Sequence, residues 1–458
     1  MKVLLIEPKT TCEEETILET NYEYPHLGLL SIAANLEKQG DVVDYFSPNI
    51  YKDPFSILKK RLDLGYDFVG ISIISATIDY QLKIAEFVKD NLKDTKVVLG
   101  GIHAWLFPKE ILENDSVDFV IRGLGEIPFS KLTKNNKLED IPGLCYKTGS
   151  ESIIQEPFLP SVEEFRTIES LIKYSKYDKV YKEAVTFRNT RHLFTSFGCP
   201  FACNFCSVPK LYKGKMFFKD INSTTDEVKE LSKKTTRIMF VDPDLNVNHA
   251  HFVNLFSAIL NEKKKGTINK NMTFIIQARL DCFNEEMLEI AKKANIIALI
   301  GIESLSQRIR DFDLNKGGKL AKMNKEEVAS KIEEIRKYIK PYIYFILATP
   351  ETTKKDLIDN LKYINSLIQG WYEINIHITP FPETNYYDQY KDTNLMVWRN
   401  TIINSNAVKI PIELKCKDRE IENYISRASE RATEKHRKNR RLSFANLFLK
   451  EIMEEVGL

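Results

Sequence analysis

The sequence predicts an α/β protein with two successive β/α series and a mainly helical C-terminal region. Its 458 residues exceed what a single hydrophobic core usually serves. Short apolar runs alternate with amphipathic helical patterns through most of the chain, and the alternation restarts at a loop that holds three cysteines. The predicted domains are residues 1–145, a hairpin and linker at 146–186, a partial six-stranded β/α barrel at 187–384, and a helical cap at 385–458 that shapes the substrate pocket.

Composition and charge exclude several classes of protein. Hydrophobic residues make up 43% and charged residues 28%, as in ordinary globular proteins. The 66 basic and 64 acidic residues nearly cancel, so nucleic acid is not an expected partner. No apolar stretch reaches the roughly 18 residues of a membrane helix, and the apolar start is too short for a signal peptide. Seven cysteines with three bunched do not resemble a disulfide framework, so we expect a reduced, cytoplasmic protein without a membrane segment.

The first series predicts a doubly wound parallel sheet. Apolar runs at 2–6, 42–46, 68–73, 96–99 and 118–121 are typical of buried strands, and helical patterns at 26–39, 55–64, 78–92 and 108–113 lie between them. A hairpin is predicted at 144–147 and 152–155, before a polar linker that contains Tyr174, Tyr177 and Tyr181. The linker tyrosines are either surface residues or part of a site.

Small and polar residues follow the strands of this predicted sheet. Ligands of doubly wound sheets bind beyond the carboxyl ends of the strands, where small residues let a bulky ligand approach the backbone. The alternative is that the glycines only form tight turns and that the histidine is a loop residue. The nucleotide fingerprint G-x-G-x-x-G does not follow the first strand. The candidate ligand-binding residues are Ser72, Ser75, Gly100, Gly101, His103 and Gly123.

Three cysteines, Cys199, Cys203 and Cys206, follow a predicted strand at 192–196 with the spacing C-x3-C-x2-C. Three thiolates from one loop can hold three irons of a cubic iron–sulfur cluster. A ferredoxin-type cluster takes four cysteines and no fourth lies nearby, so one iron would stay open to a ligand. The alternative is a zinc site, which usually has paired C-x2-C elements or an added histidine. His192 is the only near candidate, and it lies on the preceding strand.

A second series of predicted strands begins at this loop and continues at 237–241, 272–276, 296–302, 342–347 and 373–378. Helices are predicted at 225–233, 249–264, 285–293, 325–338 and 354–368. Polar residues follow one strand after another, and in a β/α barrel that face assembles the active site. Single residues of this kind could instead be helix caps. The candidates are Asp242, Asp244, Gln277, Arg279, Glu303 and Ser304.

These residues suit a sulfonium-bearing amino acid bound at the open iron. Asp242 or Asp244 could accept protons from its ammonium group, and Arg279 could receive its carboxylate. Glu303 or Gln277 could bind a ribose hydroxyl. One electron passed to the sulfonium would break a carbon–sulfur bond and release a carbon radical.

The segment from Thr195 to Cys206 resembles the cluster motif of the radical S-adenosylmethionine (SAM) superfamily. The resemblance continues at 240–244, Arg279, 301–304 and 345–351. Residues 25–28, 69–72, 98–103 and 122–126 resemble the Rossmann-like cobalamin-binding domain of one large subfamily. Glycine usually stands where Ala348 does, and glutamate is commoner at Leu124. Together the resemblance covers about residues 1–130 and 187–385.

The resemblance to cobalamin-dependent radical SAM enzymes implies three cofactors: a [4Fe-4S] cluster, SAM and cobalamin. It assigns the three cysteines to the cluster, Phe205 and the six polar strand-end residues of the second series to SAM, and the six strand-end residues of the first series to cobalamin. The motif D-x-H-x-x-G, which supplies a cobalt-binding histidine elsewhere, is missing. An external electron donor such as flavodoxin or ferredoxin is expected.

The function implied is methyl transfer to an unactivated carbon of a small-molecule or peptide substrate, through a 5′-deoxyadenosyl radical and methylcobalamin. One alternative is oxidative cyclisation or rearrangement without methyl transfer. A second is a tRNA methylthiotransferase, which carries three further cluster cysteines where this chain has only Cys12 and Cys145. A third is a cobalamin carrier with a decayed barrel. Helices are predicted at 418–438 and 444–455, and a basic run at 435–441 is either a solvated helix face or a dock for an acidic partner.

Overall fold

A computed structural model describes residues 1–9, 26–167, 190–367, 372–403, 406–438 and 444–458. Most of the predicted linker, with its three tyrosines, lies outside the described residues, as do Cys12 and Pro25. The chain forms two compact units. The first comprises residues 1–193, 218–238 and 400–410, and the second comprises 194–217, 239–399 and 411–458.

The first unit contains a seven-stranded sheet in the order β2-β1-β3-β4-β5-β6-β7. The first five strands in this order are parallel, and β6 and β7 add an antiparallel hairpin. The order reverses between β1 and β3, which is the topological switch point of a doubly wound sheet. The predicted sheet is confirmed, and the predicted hairpin extends it. The strands are β1 (Lys2–Ile6), β2 (Val42–Phe46), β3 (Phe68–Ser72), β4 (Lys96–Gly100), β5 (Phe119–Ile121), β6 (Leu144–Thr148) and β7 (Glu151–Ile153).

Helices cover this sheet because their apolar stripes pack on its buried strands. Asp53 caps α2 by accepting a hydrogen bond from the Ser56 amide at 3.1 Å, so this helix begins at Pro54. The short helix α4, which the sequence pattern did not reveal, begins directly after Gly101. The helices are α1 (Leu27–Lys38), α2 (Pro54–Leu62), α3 (Ile78–Asn91), α4 (Ile102–Leu106), α5 (Pro108–Leu112), α6 (Glu126–Thr133) and α7 (Val162–Thr167).

A six-stranded sheet follows the order β15-β14-β13-β12-β11-β8, and β12 to β15 are paired in parallel. The predicted strand at 192–196 is interrupted, because the Thr195 amide donates to the Asp242 carboxylate instead of to a neighbouring strand. A short pair, β9 with β10, follows. The strands are β8 (Thr190–Leu193), β9 (Ser196–Phe197), β10 (Phe217–Phe218), β11 (Arg237–Phe240), β12 (Thr273–Ala278), β13 (Ile296–Glu303), β14 (Lys340–Ile346) and β15 (Tyr372–Asn375).

The helices of the second series fall between its strands, as the hydrophobic periodicity predicts. A π-helical turn at Ile309–Asp313 was not predicted, and it precedes a tight turn at residues 315–318. Such turns often mark functional sites. The helices are α8 (Val208–Leu211), α9 (Ile221–Ser232), α10 (His249–Lys265), α11 (Glu285–Ala294), α12 (Gly318–Lys322), α13 (Lys325–Arg336) and α14 (Lys354–Ser366).

The C-terminal region contains the two long helices that the sequence predicts, and also a β-hairpin that it did not. Lys435, in the basic run, forms an ion pair with Glu451, and Arg431 donates to Glu451 at 2.6 Å. Part of the basic run therefore joins two helices of the chain. Among the described residues, no helix has both the length and the apolar character required to span a bilayer. The elements are α15 (Asn385–Tyr390), β16 (Met396–Ile403), β17 (Asn406–Leu414), α16 (Arg419–Lys438) and α17 (Phe444–Val456).

Candidate functional site

A cavity of about 570 Å³ lies in the second unit, where the strands β11 to β15 end. Both the cysteine loop and residues beyond β15 line this cavity, so the chain brings the two ends of the β/α series to one site. Asp242 and Ser304 are not among its lining residues. The sequence-predicted residues that do line it are Cys199, Cys203, Cys206, Phe205, Asp244, Gln277, Arg279 and Glu303.

The cysteine loop is fixed by backbone geometry at its start and by hydrogen bonds at its centre. Gly198 has φ 83°, and a Cβ there would lie 1.9 Å from the Lys215 carbonyl oxygen, so only glycine fits. The Asn204 amide donates to the Leu314 carbonyl at 2.9 Å, and its side-chain amide donates to the Asp313 carbonyl at 2.7 Å. The segment after the π-helical turn therefore holds the loop in place.

The three cysteines are half-buried free thiols that face one cavity. Burial raises the pKa of Cys199 to about 12 and also raises the pKa of Cys203, where the nearby positive charges of Lys316 and Arg279 oppose the effect of burial. Metal binding deprotonates such thiols. Within the described residues, no three His, Cys, Asp or Glu side chains converge as a site for a single metal ion requires. Three thiols from one loop that line a common cavity match the three-thiolate set of a cubic cluster.

Asp244 is a buried carboxyl group at the cavity wall, 6% exposed. Its Oδ1 has no hydrogen-bond partner among the described residues. Burial raises the pKa of Asp244 to about 7, although the charges of Arg279 and Lys316 act to lower it. A buried carboxyl oxygen without a partner costs free energy unless a ligand pairs with it. This oxygen fits the ammonium group of a bound amino acid moiety.

Arg279 forms part of the cavity wall through contacts with its own chain. The guanidinium carbon lies 3.6 Å from the centre of the Phe201 ring. Nε donates to Asp281 at 3.0 Å, and the two Nη atoms donate to the carbonyls of Lys316 and Gly317 at 2.8 and 2.9 Å. Nη2 also donates to Asp281, so four of the five donors have acceptors in the chain. The expectation that Arg279 receives a carboxylate stays a prediction.

Glu303 ends β13 in an unusual backbone conformation, with φ 64°. The register shifts between Gly301 and Glu303, and a Cβ on Gly301 would lie 2.5 Å from the Glu303 carboxylate. Gly301 therefore gives the carboxylate room to lie along the strand end. Lys316 donates to Glu303 Oε1 at 2.7 Å. Strained backbone of this kind concentrates at functional sites.

Asp242 and Ser304 do not line the cavity, and their predicted role at SAM stays a prediction. Asp242 is fully buried and accepts hydrogen bonds from the Thr195 amide at 3.0 Å, the Thr195 hydroxyl at 2.7 Å and the Ser196 hydroxyl at 2.6 Å. Ser304 is buried beside the Asn360 side chain. These local donors satisfy the two side chains away from the cavity, so both stabilise the fold.

Replacement of Asp242 by alanine should therefore act on stability. Several buried donors would lose their acceptor, and we expect the free energy of unfolding to fall by about 3 kcal/mol. Denaturant titration of the apoprotein measures this loss. Asp244→Asn is the matched control and should lower stability less, because Oδ1 of this buried carboxyl has no partner among the described residues. If Asp242→Ala kept wild-type stability and instead weakened SAM binding, the structural role would be wrong.

Two glycines at the strand ends of the first unit are explained by contacts within that unit. At Gly101 a Cβ would lie 2.8 Å from the Ile73 carbonyl oxygen, and at Gly123 it would lie 2.1 Å from the Phe158 carbonyl oxygen. Both have positive φ, so each position requires glycine for its turn, and their predicted contact with cobalamin stays a prediction. A Cβ on Gly100 would have no contact closer than 4.0 Å, which leaves space at this end of β4.

His103 follows Gly100 closely and is fully buried. Its Nδ1 lies 2.9 Å from the Ser75 hydroxyl, while Nε2 has no partner among the described residues. Burial lowers the pKa of His103 to about 4, so the imidazole is neutral at physiological pH. Ser72 lies 3.2 Å from Nε2 of His26, at the same edge of the sheet. A buried nitrogen without a partner among the described residues fits a ligand at this edge of the sheet.

Two basic residues of the cavity escaped the sequence prediction, Lys316 and His377. Lys316 follows the π-helical turn and not a strand, and its sequence signal is the pair of glycines at 317 and 318. His377 was assigned to the last predicted strand, but β15 ends at Asn375 and leaves His377 at the cavity wall. Its side chain contacts Glu413 and Glu422.

Comparison with known proteins agrees with this arrangement. The model of the B12 binding domain matches residues 16–133, and that of the radical SAM superfamily matches residues 193–364. The chain is 25% identical to an uncharacterised methyltransferase of Pyrococcus horikoshii, over 87% of this chain and 85% of the relative. It is 23% identical to the bacteriochlorophyllide d C-12(1)-methyltransferase of Chlorobaculum tepidum, over 85% and 78%. An anaerobic magnesium-protoporphyrin IX monomethyl ester cyclase of Cereibacter sphaeroides is 25% identical, over 81% and 61%.

Solved structures show the same fold. The radical SAM methyltransferase TsrM of Kitasatospora setae, with cobalamin and a [4Fe-4S] cluster bound, superposes with a TM-score of 0.72 at 15% identity, over 87% of this chain and 77% of that one. The cobalamin-dependent radical enzyme OxsB, with aqua-cobalamin and SAM bound, gives a TM-score of 0.72 at 15% identity, over 95% and 68%. With both family models matched in sequence, the chain belongs to the cobalamin-dependent radical SAM enzymes, whose cofactors are a [4Fe-4S] cluster, SAM and cobalamin.

Proposed function

We propose that this enzyme transfers a methyl group from SAM to a carbon atom of a small-molecule or peptide substrate. The observation that carries the proposal is the extent of the match. Two relatives named methyltransferases are covered over 85% and 78% of their own length, whereas the cyclase is covered over 61%. The first two matches also span 87% and 85% of this chain.

Some side chains of the cavity would bind the cofactors, and others would contact the substrate. Cys199, Cys203 and Cys206 would hold the cluster, and Oδ1 of Asp244 would accept a hydrogen bond from the SAM ammonium group. When bound, the cluster and SAM supply one-electron chemistry and cobalamin supplies methyl transfer. Further from the cysteines along the chain, the cavity is lined by the larger side chains of Tyr344, Ile346, His377, Ile378 and Phe381.

These residues form a wall of mixed character. Ile346 and Ile378 are buried apolar side chains, and they would exclude water from a reacting carbon. His377 adds a polar group to this wall, and its two carboxylate partners come from the C-terminal region. Substrate selection by the C-terminal region, as the domain prediction proposes, would act through this wall.

Methyl transfer can be tested without knowing the substrate. Protein reconstituted anaerobically with iron, sulfide and hydroxocobalamin is reduced and supplied with SAM, and the SAM-derived products are quantified by mass spectrometry. A methyltransferase should form about one S-adenosylhomocysteine per bound cobalamin in a single turnover, because methyl transfer to the corrinoid needs no substrate. Protein reconstituted without cobalamin is the control, and it should form none.

Oxidative cyclisation or rearrangement is the second candidate, and the cyclase relative favours it. That reaction would yield 5′-deoxyadenosine without S-adenosylhomocysteine, so the same assay decides between the two. The methylthiotransferase alternative receives no support from Cys145, which is fully buried in β6 beside the Gln155 backbone and is not placed to bind a second cluster.

A further inference from the structure

Lys316 is a buried lysine whose side chain has one carboxylate contact among the described residues. Its side chain is 7% exposed, and Nζ donates to Glu303 Oε1 at 2.7 Å. The same Nζ lies 5.8 Å from the centre of the Phe205 ring, within the cysteine loop. Burial of an ammonium group is costly, and an ion pair with a good hydrogen bond offsets that cost only in part. A lysine kept here despite the cost indicates a role for its charge.

The backbone around Lys316 is shaped to hold it against the cysteine loop. Asn315 has φ 46° and Gly317 has φ 61°, and the Asn315 side-chain amide donates to the Ala202 carbonyl at 3.0 Å. The Lys316 carbonyl accepts a hydrogen bond from Arg279 and lies 3.8 Å from Cys203 Sγ. The position of Lys316 relative to the thiols is therefore fixed from both sides.

Two positive charges lie near Cys203, those of Arg279 and Lys316, and their carboxylate partners are placed differently. Arg279 has its own carboxylate partner, Asp281, which lies outside the cavity lining. The partner of Lys316 is Glu303, and both of these side chains face the cavity. The pair therefore places one positive and one negative charge at defined points beside the thiols. In a buried site such charges act strongly, because little solvent screens them.

We propose that Lys316 and Glu303 together set the reduction potential of the cluster: the lysine charge stabilises the reduced state and the glutamate charge opposes it. The proposal rests on the assignment of Cys199, Cys203 and Cys206 as cluster ligands. Reduction adds a negative charge to the cluster, so a nearby positive charge favours it. Lys316 acts through its charge and is a positioning residue, since it donates to Glu303 and not to a reacting atom.

The test is a redox titration of the reconstituted protein without SAM. The electron paramagnetic resonance signal of the cluster is recorded at each potential. Lys316→Met should shift the midpoint potential to more negative values, and Glu303→Gln should shift it to more positive values. Lys316→Met and Glu303→Gln are both titrated at one near-neutral pH. Each is compared with wild type at the same pH. Lys316→Arg should restore the wild-type potential.

Lys319→Met is the matched control, because this exposed lysine lies in the same segment and should leave the potential unchanged. Opposite shifts of the midpoint potential in Lys316→Met and Glu303→Gln support the proposal. Loss of packing alone would not shift the potential in opposite directions according to the charge that was removed. The proposal is wrong if both variants keep the wild-type potential, or if both variants shift the potential in the same direction. If Lys316→Met fails to assemble a cluster, Glu303→Gln decides by the same criterion. Failure of the ligand assignment is distinguishable, because Cys203→Ala would then keep the full signal.

Discussion

Replacement of Cys203 by alanine should remove the iron–sulfur cluster and leave no detectable 5′-deoxyadenosine. Two cysteines would remain in the loop, and a cubic cluster held by three thiolates cannot be retained by two in a half-buried site. SAM would then lose both the iron that binds it and the electron that cleaves it. Iron content, the visible absorption of the reconstituted protein, and mass spectrometry of SAM products after reduction measure the three losses.

Cys282→Ser provides the control for this experiment. Cys282 lies close to Arg279 and Asp281 in the chain, but it does not line the cavity. The serine variant should bind iron and cleave SAM as the wild type does. If Cys203→Ala retained wild-type 5′-deoxyadenosine formation, or if Cys282→Ser lost the cluster, the assignment of the three loop cysteines would be wrong.

The sheet of the first unit could be predicted because strands such as β1 and β3 are buried on both faces. Runs such as those of β1 and β3 are almost entirely apolar, and they alternate with helical patterns at a regular spacing. The hairpin of β16 and β17 escaped because its strands carry polar residues among apolar ones, in a region of mixed charge. Local pattern cannot assign such a segment when tertiary contacts decide its structure.

The sequence could predict those site residues that directly follow a strand. That rule brought Asp244 and Glu303 to the cavity, but it could not give the direction of a side chain. Asp242 turns away because Thr195 and Ser196, nearly 50 residues earlier in the chain, supply its hydrogen-bond donors. Lys316 was missed because it does not follow a strand. A π-helical turn and two glycines bring it to the cavity from a loop.

His377 should make the stability of the protein depend on pH. Its side chain is 8% exposed, with Nε2 at 3.0 Å from Glu422 and Nδ1 in contact with Glu413. Burial alone would lower the pKa of His377, but the two carboxylates raise it to about 9. The imidazole is therefore protonated in the folded chain at neutral pH, and its charge links the cavity wall to the C-terminal region.

The sign of the effect follows from the raised pKa. Below the unfolded pKa of about 6.5, both states bind the proton and the stabilisation is fully present. As the pH rises from there towards 9, the unfolded chain releases its proton first, and the stabilisation is lost progressively. The difference of about 2.5 pKa units corresponds to about 3 kcal/mol as an upper estimate. Stability should therefore fall over this range through His377.

The measurement is the free energy of unfolding of wild type minus that of His377→Gln, determined by denaturant titration at several pH values between mildly acidic and alkaline. The subtraction removes the contribution of groups that titrate equally in both proteins. The difference should be largest at the acidic end and shrink towards pH 9. His249→Gln is the matched control, because His249 is 48% exposed in its contact with Glu286 and should give a small difference at every pH. A wild-type and a His377→Gln curve that run parallel would show that the two carboxylates do not hold the charge on His377.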